Sequence, residues 1–117
     1  MKRGDIVLVD FPFATGGGSK VRPALVVQTD RNNARLQDTI VAIITGNVTR
    51  AGVEPTQYLI DPSHPDWQLS GLMLPSVVKC ENIYTFNNRR ILRVIGQLSP
   101  GTLQRVNDCL KASLDLP

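Results

Sequence analysis

The segment that most restricts what this chain can fold into is Thr39-Ile40-Val41-Ala42-Ile43-Ile44-Thr45. It is too short to stand as a helix, and it is almost continuously apolar and β-branched. Such a run suits a strand buried on both faces, because an alternating pattern would leave one face for water. Ile6 to Phe11 and Ala24 to Thr29 have the same character. Further strands are expected at Gln57 to Ile60, Gly71 to Cys80, Ile83 to Phe86 and Ile91 to Leu98. Asn87-Asn88-Arg89 has hairpin-turn chemistry, since asparagine tolerates left-handed backbone angles. Many short strands joined by polar turns predict a mainly β fold, a compact barrel or a curled sheet.

One helix is well signalled. Ser99 can cap it, Pro100 suits its first turn, and Leu103, Val106, Leu110 and Leu114 recur at helical spacing. Gln104, Arg105, Asn107 and Lys111 fall on its other face. Asp30 to Leu36 reads as a helical turn.

The length of 117 residues fits a single domain, with 42% hydrophobic and 20% charged residues. Lys and Arg number 13 against 10 Asp and Glu, a net charge of +3 that tolerates a polyanionic partner without demanding one. Cys80 and Cys109 lie far apart with no metal-binding spacing. No signal-peptide core and no apolar run of membrane-spanning length is present, so the expectation is a soluble cytoplasmic protein with reduced thiols.

Two loops stand out. Ala14 to Lys20 holds three consecutive glycines and reads either as a mobile flap over a substrate or as a long hairpin connection. It lacks the spacing of a phosphate-binding Walker loop. Asp61 to Trp67 is proline-rich and contains His64, the one histidine, to which no catalytic role is assigned. With no histidine pair, no Cys/His couple and no metal-ligand cluster, an enzyme built here works with Arg, Lys, Ser, Thr or a single carboxylate. Phosphodiester cleavage by an internal 2′-hydroxyl is among the few reactions that fit, because the RNA supplies the nucleophile and the protein stabilises charge. Arginine's planar fork can hold two phosphoryl oxygens at once.

The ordered set Arg3-Gly4-Asp5-Ile6-Val7-Leu8-Val9-Asp10, the glycine-rich loop, Val21-Arg22-Pro23-Ala24-Leu25-Val26-Val27-Gln28, Val41-Ala42-Ile43-Ile44-Thr45 and Pro75-Ser76-Val77-Val78-Lys79-Cys80-Glu81-Asn82-Ile83-Tyr84-Thr85 resembles the MazF/PemK/Kid toxin family. The likeness continues through Arg90 and Ile91 to Ile95-Gly96-Gln97-Leu98 and the last helix, and so spans nearly the whole chain. It implies a small SH3-like β-barrel with a C-terminal helix, the CcdB/PemK-like fold, assembled as a homodimer. It further implies a metal-independent and cofactor-free endoribonuclease that cuts single-stranded RNA, is inhibited by a cognate antitoxin, and meets operator DNA through the antitoxin complex.

By position, Arg22 matches the family's catalytic arginine and Thr45 its catalytic hydroxyl residue. Lys79 and Glu81 fall where some members place a basic residue and an aspartate of the RNA site. Ser19, Lys20 and Asn47 are the further candidates for contact with RNA. The mechanism expected from the resemblance has Arg22 stabilising the scissile phosphate and donating to the leaving 5′-oxygen, Thr45 bonding a phosphoryl oxygen, and a 2′,3′-cyclic phosphate as product. Each residue also has a structural reading: Arg22 as the solvent-facing start of a strand, Thr45 as a β-branched strand end, Lys79 and Glu81 as outward polar positions. A CcdB-like toxin that binds gyrase without cutting nucleic acid, or an inactive relative that only binds an antitoxin, stays open beside the nuclease.

Overall fold

The computed structural model describes residues 1–117. Its strands are β1 (Asp5–Pro12), β2 (Ser19–Val26), β3 (Asp38–Thr45), β4 (Gln57–Ile60), β5 (Ser76–Asn87) and β6 (Ile91–Gln97). Three helices intervene, α1 (Asp30–Arg35), α2 (Trp67–Ser70) and α3 (Pro100–Leu114). The strands form one antiparallel sheet in the order β4-β5-β3-β2-β1-β6.

β3 lies inside this sheet and behaves as its apolar run requires. Ala42 and Ile44 enter a core under α3 with Ile6, Leu25, Val78 and Val106. Val41 and Ile43 enter a second core on the other face with Val7, Val9, Val26 and Phe86. Successive strand residues point to opposite faces, so one strand can feed both. The second core is enclosed because the sheet curls: Phe11 of β1 meets Tyr84 and Phe86 of β5 edge-on, with ring centroids 5.0 and 5.5 Å apart.

The curl does not close, and the expected barrel is corrected on this point: β4 and β6 are the free ends of an open sheet within a mixed β+α fold. At the β6 end, α2, a single turn of helix, seats against the sheet. Gly96 of β6 lies so near α2 that a Cβ there would sit 2.2 Å from the Ser70 carbonyl oxygen. Gly71, which ends α2 in the left-handed conformation (φ 70°), approaches the Ile95 carbonyl as closely. Backbone is packed on backbone at this contact, which only glycine allows.

β5 is one strand where two were expected. Its register against β3 jumps between Ala42↔Ile83 and Ile43↔Lys79, which leaves Cys80, Glu81 and Asn82 in a bulge. Residues Gly71 to Pro75, expected as strand, form the end of α2 and a loop. The connection expected at Asn87–Arg89 is a short 3-10 turn over Asn88–Arg90, capped by Asn87, whose Oδ1 accepts from Arg89 N at 3.0 Å.

β2 begins earlier than expected, at Ser19, and so takes Ser19 and Lys20 out of the glycine loop. That loop is a hairpin connection whose three glycines all have positive φ (79°, 55° and 89°), closed by a bond from Phe13 N to Gly18 O.

α3 matches its signals, with Ser99 Oγ accepting from Thr102 N and Pro100 opening the helix. Its buried stripe is Thr102, Val106 and Cys109, flanked by half-buried Leu103 and Leu110, while Leu114 is exposed. Cys80 and Cys109 are free thiols within the core under α3. No helix is long and apolar enough to cross a membrane.

Candidate active site

The site arises where β2 parts from β3. Their ladder runs from Val26↔Val41 to Ala24↔Ile43 and stops there. The next residue of β2 is Pro23, which has no N–H to give and is tolerated where a strand has a free side. Beyond it β2 pairs only with β1, Arg22 standing opposite Val9. Two rungs past the last pair, the same register sets Arg22 opposite Thr45. The splayed strands open a mouth between these two side chains.

Lys79 joins them because β5 pairs with β3 on one side and with β4 on the other. Lys79 stands opposite Ile43 and also opposite Gln57. Arg22, Thr45, Lys79 and Gln57 therefore fall on one face of four neighbouring strands. They surround a polar pocket of 200 Å³, completed by Ile43, Asn47, Thr49, Arg50 and Asn82. On the other side of the mouth lies a cleft of 390 Å³, bounded by Lys20, Arg93, Leu8, Ile44, Leu72 and Met73 among others. Arg22 and Thr45 line both cavities, and no carboxylate lines either. A wall with five cations and no anion favours a polyanion strung across it.

The polar groups at the mouth are poorly partnered within the protein. Arg22 Nε is buried and has no acceptor. Its guanidinium carbon lies 5.6 Å from the centroid of the Phe11 ring, a cation–π contact that steadies the side chain and leaves its donors free. Thr45 Oγ1 accepts from Asn47 N at 3.2 Å and donates to no group of the protein. Asn47 Oδ1 is taken by Thr49, whose N and Oγ1 donate at 3.3 and 2.8 Å. Gln57 Oε1 is buried without a donor.

Glu81, in the β5 bulge, is exposed and lies outside both cavities. Its carboxylate accepts from Gln57 Nε2 at 2.8 Å and from Thr56 Oγ1 at 2.9 Å. Partial burial works against its charge, but these bonds and the Lys79 ammonium outweigh that and hold its carboxyl below the usual range.

The structure thus brings Arg22, Thr45, Asn47 and Lys79 around one pocket and Lys20 to the adjoining cleft. Ser19 lines neither, being paired with Pro12 at the far end of the β1–β2 hairpin. Glu81 reaches the pocket only through Gln57. Gln57, Arg50, Thr49, Asn82 and Arg93 escaped the sequence reading; their signal is strand register, which one sequence does not display. His64 lies elsewhere, with Tyr58 Oη 2.7 Å from its Nε2 and its Nδ1 accepting from Asp66 N at 2.9 Å. No group of three or more His, Cys, Asp or Glu side chains is arranged to hold a metal ion.

The description "PemK-like, MazF-like toxin of type II toxin-antitoxin system" matches residues 2–114. The chain is 33% identical over 120 residues to the endoribonuclease MazF9 of Mycobacterium tuberculosis, covering 99% of this chain and 98% of that protein. Among solved structures, the Mycobacterium tuberculosis toxin MazF-mt6 superposes with a TM-score of 0.76 at 26% identity, over 97% of this chain and 98% of that one. A mycobacterial endoribonuclease in complex with its cognate antitoxin superposes with a TM-score of 0.74 at 25% identity, over 100% and 97%. A family match along almost the entire length leaves one conclusion: the chain belongs to the PemK-like, MazF-like toxins of type II toxin–antitoxin systems.

Proposed function

We propose that this chain is an endoribonuclease that cuts single-stranded RNA at the mouth between β2 and β3. The observation that carries the proposal is the facing of Arg22 and Thr45 across the wall shared by two cationic cavities without a carboxylate, with Arg22 Nε unpartnered. The endoribonuclease relative that matches end to end supports the same reading.

The RNA backbone lies across the mouth with the scissile phosphate between Arg22 and Thr45. The 2′-oxygen forms a bond to phosphorus as the P–O5′ bond breaks. Water takes the 2′-hydroxyl proton and returns one to the departing 5′-oxygen, which Arg22 steadies with a hydrogen bond and which ends as a hydroxyl. The other product end is a 2′,3′-cyclic phosphate. Arg22 offers two parallel donors to the non-bridging oxygens as their charge grows, and the uncommitted Thr45 hydroxyl donates to one of them. Lys20, Lys79, Arg50 and Arg93 draw in the flanking phosphates, while Asn47 orients Thr45 through its backbone N–H. Glu81, engaged with Gln57 and Thr56, supports the wall.

A second copy of the chain extends the groove, and a cognate antitoxin blocks it, as the antitoxin-bound relative suggests. Met73, 93% exposed at the rim of the larger cleft, and Leu74 beside it offer the antitoxin an apolar foothold.

Purified protein incubated with a long single-stranded RNA in EDTA should give discrete fragments with 5′-hydroxyl ends, and Arg22→Ala should not. RNA left intact across varied sequences would sink the nuclease reading.

A further inference from the structure

Gln57 is the amide on the pocket wall that has one end bonded and the other buried without a partner. Its Nε2 donates to Glu81 Oε2 at 2.8 Å. Its Oε1 is buried and has no donor. A glutamine amide can ordinarily turn over and exchange the two ends, since they have nearly the same shape. Here it cannot, because an ionised carboxylate only accepts hydrogen bonds. Glu81 is itself anchored by Thr56 Oγ1 at 2.9 Å, so the amide has a fixed post to bind. The consequence is an acceptor of set direction on a residue that lines the pocket with Arg22, Thr45 and Lys79.

Buried carbonyl oxygens without a donor are rare in folded proteins. The same pocket holds a second orphan, of opposite kind, in Arg22 Nε. An RNA phosphate satisfies the arginine, but phosphate oxygens only accept and can do nothing for Gln57. A base donates through an exocyclic amino group, carried by adenine, cytosine and guanine, or through the ring N–H of guanine and uracil, and the amino group projects furthest from the ring towards an acceptor in the wall. A pocket of 200 Å³ accommodates one unstacked base, the form in which single-stranded RNA is read by its base edges.

We infer that Gln57 is a specificity-determining residue, its Oε1 accepting a hydrogen bond from the exocyclic amino group of one base of the bound RNA, and that Glu81 is the positioning residue that fixes this acceptor. The inference rests on the RNA-cleaving reading of the same site. The readout is therefore binding, with cleavage measured separately.

The experiment uses a panel of short oligonucleotides carrying 2′-deoxyribose at the cut, which bind but cannot be cleaved. At each position the amino-bearing base is compared with its analogue lacking the amine: purine for adenine, 2-pyrimidinone for cytosine, hypoxanthine for guanine. Wild-type protein should lose about 5- to 150-fold in affinity on removal of the amine at one position. Gln57→Met, which keeps the length and shape of the side chain, should bind the two forms equally well. Glu81→Gln, which allows the amide to turn over, should lower the discrimination without abolishing binding, and serves if the methionine variant fails to fold.

Wild-type protein indifferent to every amine would overturn the inference. So would a methionine variant that weakens on all oligonucleotides alike and keeps the wild-type preference, for then Gln57 touches sugar or only props the wall. A preference for the amine that depends on Gln57, in a protein that leaves ordinary RNA uncut, upholds the inference and strikes the nuclease reading alone.

Discussion

Gln57 and Tyr58 are neighbours on β4 and point to opposite faces of the sheet, into two polar clusters with opposite fates. On the Tyr58 side the groups satisfy one another. Tyr58 meets His64, His64 accepts from the Asp66 backbone, and the Asp66 carboxylate accepts from both N and Oγ of Ser99 at 2.8 Å. On the Gln57 side a buried donor and a buried acceptor have no partner, and the Thr45 hydroxyl keeps its proton uncommitted. A closed network joins α2 to the start of α3 and holds the fold; an open one waits for something outside the protein. Removing a group from the open cluster should cost activity with little stability, and removing one from the closed cluster should do the reverse.

The largest effect expected is that of Arg22→Ala. Loss of the charge stabiliser should lower RNA cleavage by about 10²-fold or more. The melting temperature should move little, since only a cation–π contact of about 0.5–1 kcal/mol goes with it. Arg22→Lys should recover only part of the loss, because an ammonium is a point charge without the fork. A large fall in melting temperature would place Arg22 in the structural class and break the contrast. Next comes Asp66→Ala. It removes the acceptor of two hydrogen bonds at a buried position, and bonds to a charged group are worth about 1.5–3 kcal/mol. Denaturant unfolding should show a loss of that order, with specific activity of the folded fraction unchanged.

The two clusters were unequally legible from the amino-acid order. The apolar run of β3 and the Ser99-Pro100 helix start announce themselves, since each is a local signal. Arg22 and Thr45 stand out only through family resemblance; that they face each other follows from the β2–β3 register, and the mouth between them from Pro23 as the residue at which that ladder ends. Gln57 and Arg93 look like ordinary strand residues until their partners are known. The closed cluster was missed because α2 has four residues inside a proline-rich polar stretch and gives no helical period. The expectation of a barrel failed for a different reason. Strand count and turn chemistry say that a sheet will curl, but whether its edges meet is a matter of strand order, β4 and β6 being its two ends, which no local signal reports. The β5 bulge was equally silent, as Glu81-Asn82 merely reads as a polar break between two strands.

Thr45→Val tests the open cluster at a smaller scale. Valine keeps the β-branched shape that the strand end favours and removes one hydroxyl donor. Cleavage should fall about tenfold, the rate equivalent of about 1.4 kcal/mol, with stability within about 0.5 kcal/mol of wild type. Thr45→Ser should retain most activity. Should valine leave cleavage untouched, Arg22 alone would carry the phosphate, and the uncommitted hydroxyl would be an accident of the strand end.

The smallest effect is in pH. Burial raises the energy of the charged Asp66 carboxylate, but the Ser99 backbone N–H and the Thr102 and Ser99 hydroxyls outweigh it, and His64 adds to them; the carboxyl titrates below its ordinary value. A carboxyl depressed by folding binds its proton more readily in the unfolded chain. Its contribution to stability is thus fully present above the unfolded value of about 3.9 and is lost as pH falls through the lower, folded value. Asp66→Asn, which cannot titrate, should therefore differ from wild type by a constant amount from neutral pH down to about pH 5. Below about pH 4 the gap should narrow, as the wild-type carboxyl takes up its proton. The Arg22→Ala protein should track wild type across the same range, since it keeps the Asp66 cluster whole. Urea unfolding of the three proteins at stepped pH measures both curves, and a gap that widened on acidification would mean that Asp66 is held in its protonated form and that the closed cluster is built on a neutral acid.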